Sequence, residues 1–324
     1  MPFFAPRAVF VVSWWFNEIR EDSMATADSK VVLRGFKPQH EFFIGVDSDG
    51  CAFDTMEIKH KECFGPNIIE YWGLQAVSKY AREAFEFVNL YSKWRGINRW
   101  PALKMVFDLL RERPEVQRRQ AKVPEGKAIQ AFMDSGCVTS DAGLKQFLAQ
   151  TSDPRMAEEL LQALKWSEAV NATIARMVHD VPPFPYVRES LEKARPQADL
   201  MVVSATPGAA LQREWEEHDI ARHVEIIAGQ EMGTKKEHLE FAAKGKYRGD
   251  HILMIGDAPG DMKAARANAA LFYPVNPGRE DESWQRFHDE ALEKFIAGAY
   301  AGAYEARLIA EFDKLLPEAP PWKK

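Results

Sequence analysis

Cysteine is scarce in this sequence. There are three in 324 residues, Cys51, Cys63 and Cys137, and no CxxC pair. An odd, widely spaced set argues against a disulfide framework and a thiolate zinc site, and points to a reducing, cytoplasmic setting. Long apolar runs are missing too. The one ambiguous segment, Ala8 to Phe16 (AVFVVSWWF), falls well short of the roughly 20 residues that cross a bilayer. Bulky Trp14, Trp15 and Phe16 also stand where an export signal would need small residues before its cleavage site. There is no excess of positive charge: 42 Lys and Arg face 48 Asp and Glu, for a net charge of −6. Nothing in that balance attracts a nucleic acid or a membrane surface. No internal repeat and no low-complexity tract interrupts the chain.

What is present is an ordinary globular composition, 46% hydrophobic and 28% charged, in a chain too long for one small core. Residues 1–24 read as an N-terminal extension, dispensable for the fold, since a polar stretch (MATADSK) begins at Met24; a helix packed on the body is the second reading and an export signal the third. Glu41 to Val46 (EFFIGV) is a short apolar run that reads as a buried strand. From about residue 58 to 180 apolar residues recur at helical spacing, as in Ala84, Phe87, Val88 and Tyr91, and no strand is evident. The prolines of Val181-Pro182-Pro183-Phe184-Pro185 end that pattern.

Strands and helices then alternate. The strands are Leu200 to Ser204, Val224 to Ala228, His251 to Gly256 and Ala270 to Pro274; the helices between them include Lys235 to Lys244 and Gly260 to Asn268. That rhythm is the signature of βαβ units and a parallel sheet, with ligands expected at the carboxyl ends of its strands. Thr206-Pro207 reads as a capped helix start. Residues 283–316 read as two amphipathic helices, and the tail PEAPPWKK as frayed. The architecture expected is therefore an α/β, Rossmann-like core, residues 25–57 and 181–324, split by an all-helical insert over 58–180.

Four strand ends carry the chemistry-bearing residues. Asp47-Ser48-Asp49-Gly50 follows the first apolar strand, Ser204 ends the second, Lys235-Lys236 follows Gly233-Thr234, and Gly256-Asp257-Ala258-Pro259-Gly260-Asp261 follows HILMI. Taken singly each is ordinary: a turn, a strand-end hydroxyl, a solvated lysine, a helix cap. A calcium loop is excluded at Asp47, since Gly50 stands fourth where that loop needs glycine sixth. In this order and at strand ends, the four are much harder to dismiss together than singly.

The stretches FIGVDSDGCAFD, MVVSATP, GTKKEHL and ILMIGDAPGD resemble the haloacid dehalogenase superfamily, in its phosphatase-like branch. The likeness covers about residues 41–60 and 183–275, and the helical insert stands where many members carry a cap. Ser48 and Cys51 depart from the family pattern, which usually has an apolar residue at the first position and Thr or Val at the second. The resemblance implies a Mg²⁺ ion held by Asp47, the backbone carbonyl of Asp49, and Asp257, with Asp261 behind them or binding through water. It implies Asp47 as covalent nucleophile and Asp49 as general acid and base. Ser204 and the amide of Ala205 would bind phosphate oxygens, and Lys235, with Lys236 as the competing choice, would balance the charge. An acid at position 49 favours phosphate esters over halides or phosphonates.

Arg95 and Arg99, in the stretch Trp94 to Trp100, are candidates to clamp the substrate, as cap loops of this kind face the active site. The expected substrate is a small phosphorylated metabolite, with no nucleic-acid or membrane partner. The C-terminal helices could join two copies. A sugar phosphomutase is the alternative reading, and a catalytically silent binding protein a third.

Overall fold

The computed structural model describes residues 30–323. The expectation about residues 1–24 lies outside them. Five parallel strands form one sheet: β1 (Phe42–Val46), β2 (Ala198–Val203), β3 (Ile226–Ala228), β4 (Ile252–Gly256) and β5 (Leu271–Pro274), in the order β3-β2-β1-β4-β5. The α/β parallel-sheet class read from the sequence is the one observed. Strand bounds move by one or two residues from the expected ones, as terminal residues do.

The central position of β1 follows from its composition. Each of its residues is buried, and its side chains alternate between two apolar layers. Phe42, Ile44 and Val46 join Val202, Leu253 and Ile255 on one face; Phe43 joins Met201, Val203 and Met254 on the other. Gly45 makes the second layer thin. A Cβ there would stand 3.0 Å from Val203 and 3.2 Å from Leu239 and Met254. The missing side chain lets the helix that carries Leu239 lie close against the strand.

Between β1 and β2 the described chain is helical. Residues Thr55–Ile58, Lys59–Phe64 and Gly65–Tyr71 run on from one another, the middle piece wound as a π-helix. The longer helices are α1 (Ser78–Asn89), α2 (Arg99–Glu112), α3 (Lys127–Asp134), α4 (Asp141–Gln150) and α5 (Pro154–Met177). Their apolar faces close on a core of their own, with Trp72, Phe85, Trp100, Phe107, Phe132 and Trp166 at its centre. Asn98, Ser140 and Asp153 cap α2, α4 and α5 by accepting main-chain N–H bonds.

After this helical body come α6 (Val187–Ala194), α7 (Gly208–Glu217), α8 (Lys235–Ala242), α9 (Pro259–Ala267) and α10 (Ala303–Leu315). Residues Glu280–Arg286, Phe287–Ala291 and Leu292–Ile296 form one continuous helical run before α10. Phe287, Leu292, Phe295 and Leu308 pack into one sheet layer and Phe312 into the other. Those apolar faces serve the core of the chain itself. Among the described residues no helix is long and apolar enough to cross a membrane.

The tail departs from its expected fraying. Residues 317–323 return to the helical body: Pro317 accepts a bond from the Lys93 amide at 3.3 Å, and Lys323 pairs with Glu112 at 2.5 Å. Trp322 packs edge-on against Phe87 with ring centres 5.6 Å apart, and the Arg113 guanidinium lies 4.5 Å above it. The prolines that rule out a helix also leave little entropy to lose when the tail docks. Trp322→Ala is therefore expected to cost roughly 1–3 kcal/mol of stability, less than a fully buried tryptophan. Urea unfolding that is unchanged in the variant would mean that the tail contributes nothing.

Candidate active site

Parallel register brings the ends of β1, β2 and β4 together. Val46 pairs with Val202 on one side and Ile255 on the other. Asp47, Ser204 and Asp257 therefore leave the sheet at one edge, although 210 positions separate Asp47 from Asp257 in the chain. The Asp47 amide extends the ladder to Ile255 O at 3.0 Å, which holds the turn in place.

Asp47 is buried, its side chain 5% exposed. Its Oδ1 accepts from the Ser48 amide at 2.8 Å and its Oδ2 from Lys235 Nζ at 2.6 Å. Lys235 also donates to Asp261 Oδ1 at 2.6 Å. Lys235 is the first residue of α8, which Thr234 and Glu237 cap reciprocally. That cap aims the first-turn side chain at the sheet edge. Lys236 lines the same cavity, but only Lys235 reaches Asp47. Burial lowers the Lys235 ammonium, and the charges of Asp261 and Asp47 outweigh it and raise it overall.

Asp261 also caps α9, taking the Ala258 amide on Oδ2 at 3.0 Å. Oxygens of Asp47, Asp257 and Asp261 lie within 4.8 Å of one another. Burial, opposed by Lys235 and reinforced by neighbouring carboxylates, raises the pKa of Asp47 and Asp261. Asp257 Oδ1 is buried without a hydrogen-bond partner. An unsatisfied acceptor inside a carboxylate trio fits a hard divalent cation, which takes oxygen ligands and would supply the missing positive charge. Gly50 leaves room for this arrangement. Its φ is +75°, and a Cβ would stand 2.7 Å from Asp257 Oδ2.

The Asp49 carboxylate is turned away from the trio. Lys59 Nζ donates to it at 2.5 Å, Thr206 Oγ1 at 2.7 Å, and Thr55 Oγ1 closes the third contact. Burial raises its pKa, but Lys59 and the hydroxyl bonds outweigh that and bring it down to about 2. Lys59 and Thr55 were missed in the sequence, yet their spacing of four on a helix beside Asp49 was a usable signal. Thr206 was read as a cap. Its hydroxyl instead serves Asp49, and α7 begins at Gly208 without a side-chain cap.

The two departures from the family pattern have structural partners. Ser48 Oγ donates to Glu214 Oε2 and accepts from Trp215 Nε1, both at 2.9 Å. Cys51 is fully buried in the sheet core, and its carbonyl accepts from Trp284 Nε1 at 2.7 Å. Nothing in the sequence had marked Glu214. Its carboxyl is pushed up to about 7, by burial first and the Asp49 charge second. A raised native pKa means that ionised Glu214 costs stability. The cost is absent below the ordinary carboxylate range, grows as pH rises toward 7, and is complete above it. Glu214→Gln is therefore expected to melt higher than the parent at about pH 8, and to lose that advantage toward about pH 5. A difference independent of pH would contradict the shift.

Ser204 is 2% exposed, and its Oγ accepts from the Thr206 amide at 3.2 Å. Ser204, Ala205 and Lys235 line one cavity with Asp47, Asp49 and Asp257, of about 1390 Å³. The helical body supplies its far wall, including Phe64, Trp100, Asn171 and Ile174. Arg99 stands in that wall, over the Phe64 ring at 5.1 Å and bonded to Ser167 Oγ at 2.6 Å and Asn171 Oδ1 at 2.9 Å. Arg95, expected beside it, does not line the cavity. It is 3% exposed, and its Nε donates to Asp257 Oδ2 at 2.7 Å.

Residues 121–273 match the model of the haloacid dehalogenase-like hydrolase family. Over that stretch, just under half of its length, the chain is similar to that family. The stretch matched runs through β2, β3 and β4 to β5, so it takes in Ser204, Lys235, Asp257 and Asp261. Asp47 and Asp49 precede it and meet that stretch at the sheet edge, where Asp47 pairs with Lys235 and Asp49 with Thr206.

Among solved structures, a putative phosphoglycolate phosphatase from Lactobacillus delbrueckii subsp. bulgaricus is 16% identical. The match covers 82% of this chain and 100% of that one, with a TM-score of 0.45. CbbY from Rhodobacter sphaeroides, solved in complex with phosphate, is 14% identical over 73% of this chain and 87% of its own, with a TM-score of 0.39. A haloacid dehalogenase-like hydrolase from Streptococcus pneumoniae is 15% identical over 77% and 91%, with a TM-score of 0.38. The curated proteins contain no match.

Proposed function

We propose that this hydrolase is a Mg²⁺-dependent phosphatase that cleaves a small phosphorylated metabolite through a phosphoryl group carried on Asp47. One observation supports this most: Asp47 is paired with Lys235 and stands in a carboxylate trio with an unsatisfied oxygen, while another carboxylate, Asp49, stands apart on its own donors. Asp47, Asp257 and Asp261, with the Asp49 carbonyl, would hold Mg²⁺, which when bound neutralises the phosphoryl oxygens.

In the first step an Asp47 oxygen attacks phosphorus, the ester P–O bond breaks, and the leaving oxygen takes a proton from Asp49. Ser204 and the Ala205 amide hold the phosphate oxygens, and Lys235 offsets the charge on both partners. In the second step Asp49 takes a proton from water, whose oxygen displaces phosphate from Asp47. With its pKa at about 2, Asp49 is held in the base form. To act as acid it must leave Lys59, and an incoming phosphate dianion competes for that ammonium. The helical body over 58–180 would act as a cap, with Arg99 on the leaving-group side. Three free cysteines suit a cytoplasmic setting.

A panel of phosphate monoesters tested with Mg²⁺, with EDTA, and with Mg²⁺ restored is the direct test. Phosphate release that needs the cation and returns with it is expected; Ca²⁺ should substitute poorly, because its larger and looser shell misplaces the attacking oxygen. No phosphate released from any ester, or release unaffected by EDTA, would refute the proposal. An isomerised sugar phosphate in place of free phosphate would assign a mutase.

A further inference from the structure

Asp257 differs from the other two carboxylates of the trio. Asp47 and Asp261 are held by Lys235, which rises from the sheet's own α8. Asp257 is held by Arg95, which comes from the helical body 162 residues away in sequence. Both side chains of this pair are 1% exposed. The Arg95 guanidinium is fixed at its root as well, since Nη1 donates to Leu90 O at 3.0 Å within the loop between α1 and α2. Its contact falls on Asp257 Oδ2, and Oδ1 is the oxygen left without a partner.

We infer that Arg95 is a positioning residue for the metal site: the helical body supplies the cation that fixes Asp257 with one oxygen engaged and the other free. This rests on the metal reading above. A carboxylate on a strand end has two soft torsions, and without a partner either oxygen could face the trio. The Nε contact removes that freedom. A buried ion pair is a poor source of net stability, since desolvating both groups offsets most of their attraction. Orienting a ligand is a use that fits its place, and partners behind metal ligands do tune affinity. A clamp on the substrate does not fit, because Arg95 is absent from the cavity wall. The metal site is then complete only while the helical body is seated on the sheet edge.

The test is Mg²⁺ titration by calorimetry on the full chain, comparing the parent with Arg95→Gln and Arg95→Lys, after circular dichroism shows each folded. Arg95→Gln is expected to weaken Mg²⁺ binding by roughly 10–100-fold, and Arg95→Lys, which keeps the charge, by less. At saturating Mg²⁺ the KM for a hydrolysed ester should barely move. Unchanged or tighter Mg²⁺ binding in Arg95→Gln overturns the inference and leaves the phosphatase reading intact. A raised KM with unchanged Mg²⁺ binding also overturns it, and returns Arg95 to the substrate. A parent chain that takes up no Mg²⁺ overturns the metal reading and this inference with it.

Discussion

Asp47→Asn is expected to lose turnover by about 10⁴-fold or more, the scale on which removal of a covalent nucleophile acts. An amide oxygen does not attack phosphorus, and no neighbour can replace it. Asp261 is tied to Lys235 and the Ala258 amide, and Asp257 to Arg95. The fold should tolerate the change. Burial and two nearby carboxylates already make ionised Asp47 costly, so a neutral side chain of the same shape removes a penalty along with a partner of Lys235. The check is steady-state phosphate release beside a thermal melt. Activity near that of the parent in a clean preparation would end the nucleophile assignment. Lost activity together with a collapsed melting transition would say only that the fold had been damaged.

Asp49→Asn is expected to depend on the ester. With an alkyl phosphate the leaving oxygen needs a proton, and kcat/KM should fall by about 10²–10⁴-fold, the usual worth of a general acid. With an aryl phosphate the leaving group departs unaided, so the first step should be nearly spared. The second step still lacks its base. The variant should therefore release one equivalent of the phenol quickly and then stall. Equal losses on both esters would mean that Asp49 matters by organising Thr55, Lys59 and Thr206 and moves no proton.

Much of the sheet was legible because its physics is local. Short apolar runs such as FFIGV and ILMIG, each ended by an acidic residue, can only be buried strands that stop where the polar residue begins. Parallel pairing then places their ends together without further information. Lys235 was also within reach, since the Gly233-Thr234 start fixes which lysine occupies the first turn of α8.

The rest depended on packing. Arg95 and Arg99 stand four apart in one stretch, and no pattern says that one turns onto Asp257 while the other stacks on Phe64. Glu214 is raised by burial and by the charge of Asp49, and is bonded by Ser48, and both of those residues lie in a distant segment. The tail docks because the helical body offers Phe87 and Arg113 to Trp322, a pairing that only the tertiary structure creates.

The most direct measurement of the central claim is the mass of the peptide carrying Asp47. Asp49→Asn is mixed with an aryl phosphate and Mg²⁺, quenched in acid during the stall, digested and analysed. The account predicts one phosphoryl group on that peptide, localised to Asp47, and none when Asp47→Asn is added to the same variant. Turnover of the aryl ester with an unmodified Asp47 peptide, or a phosphoryl group on another residue, would contradict it.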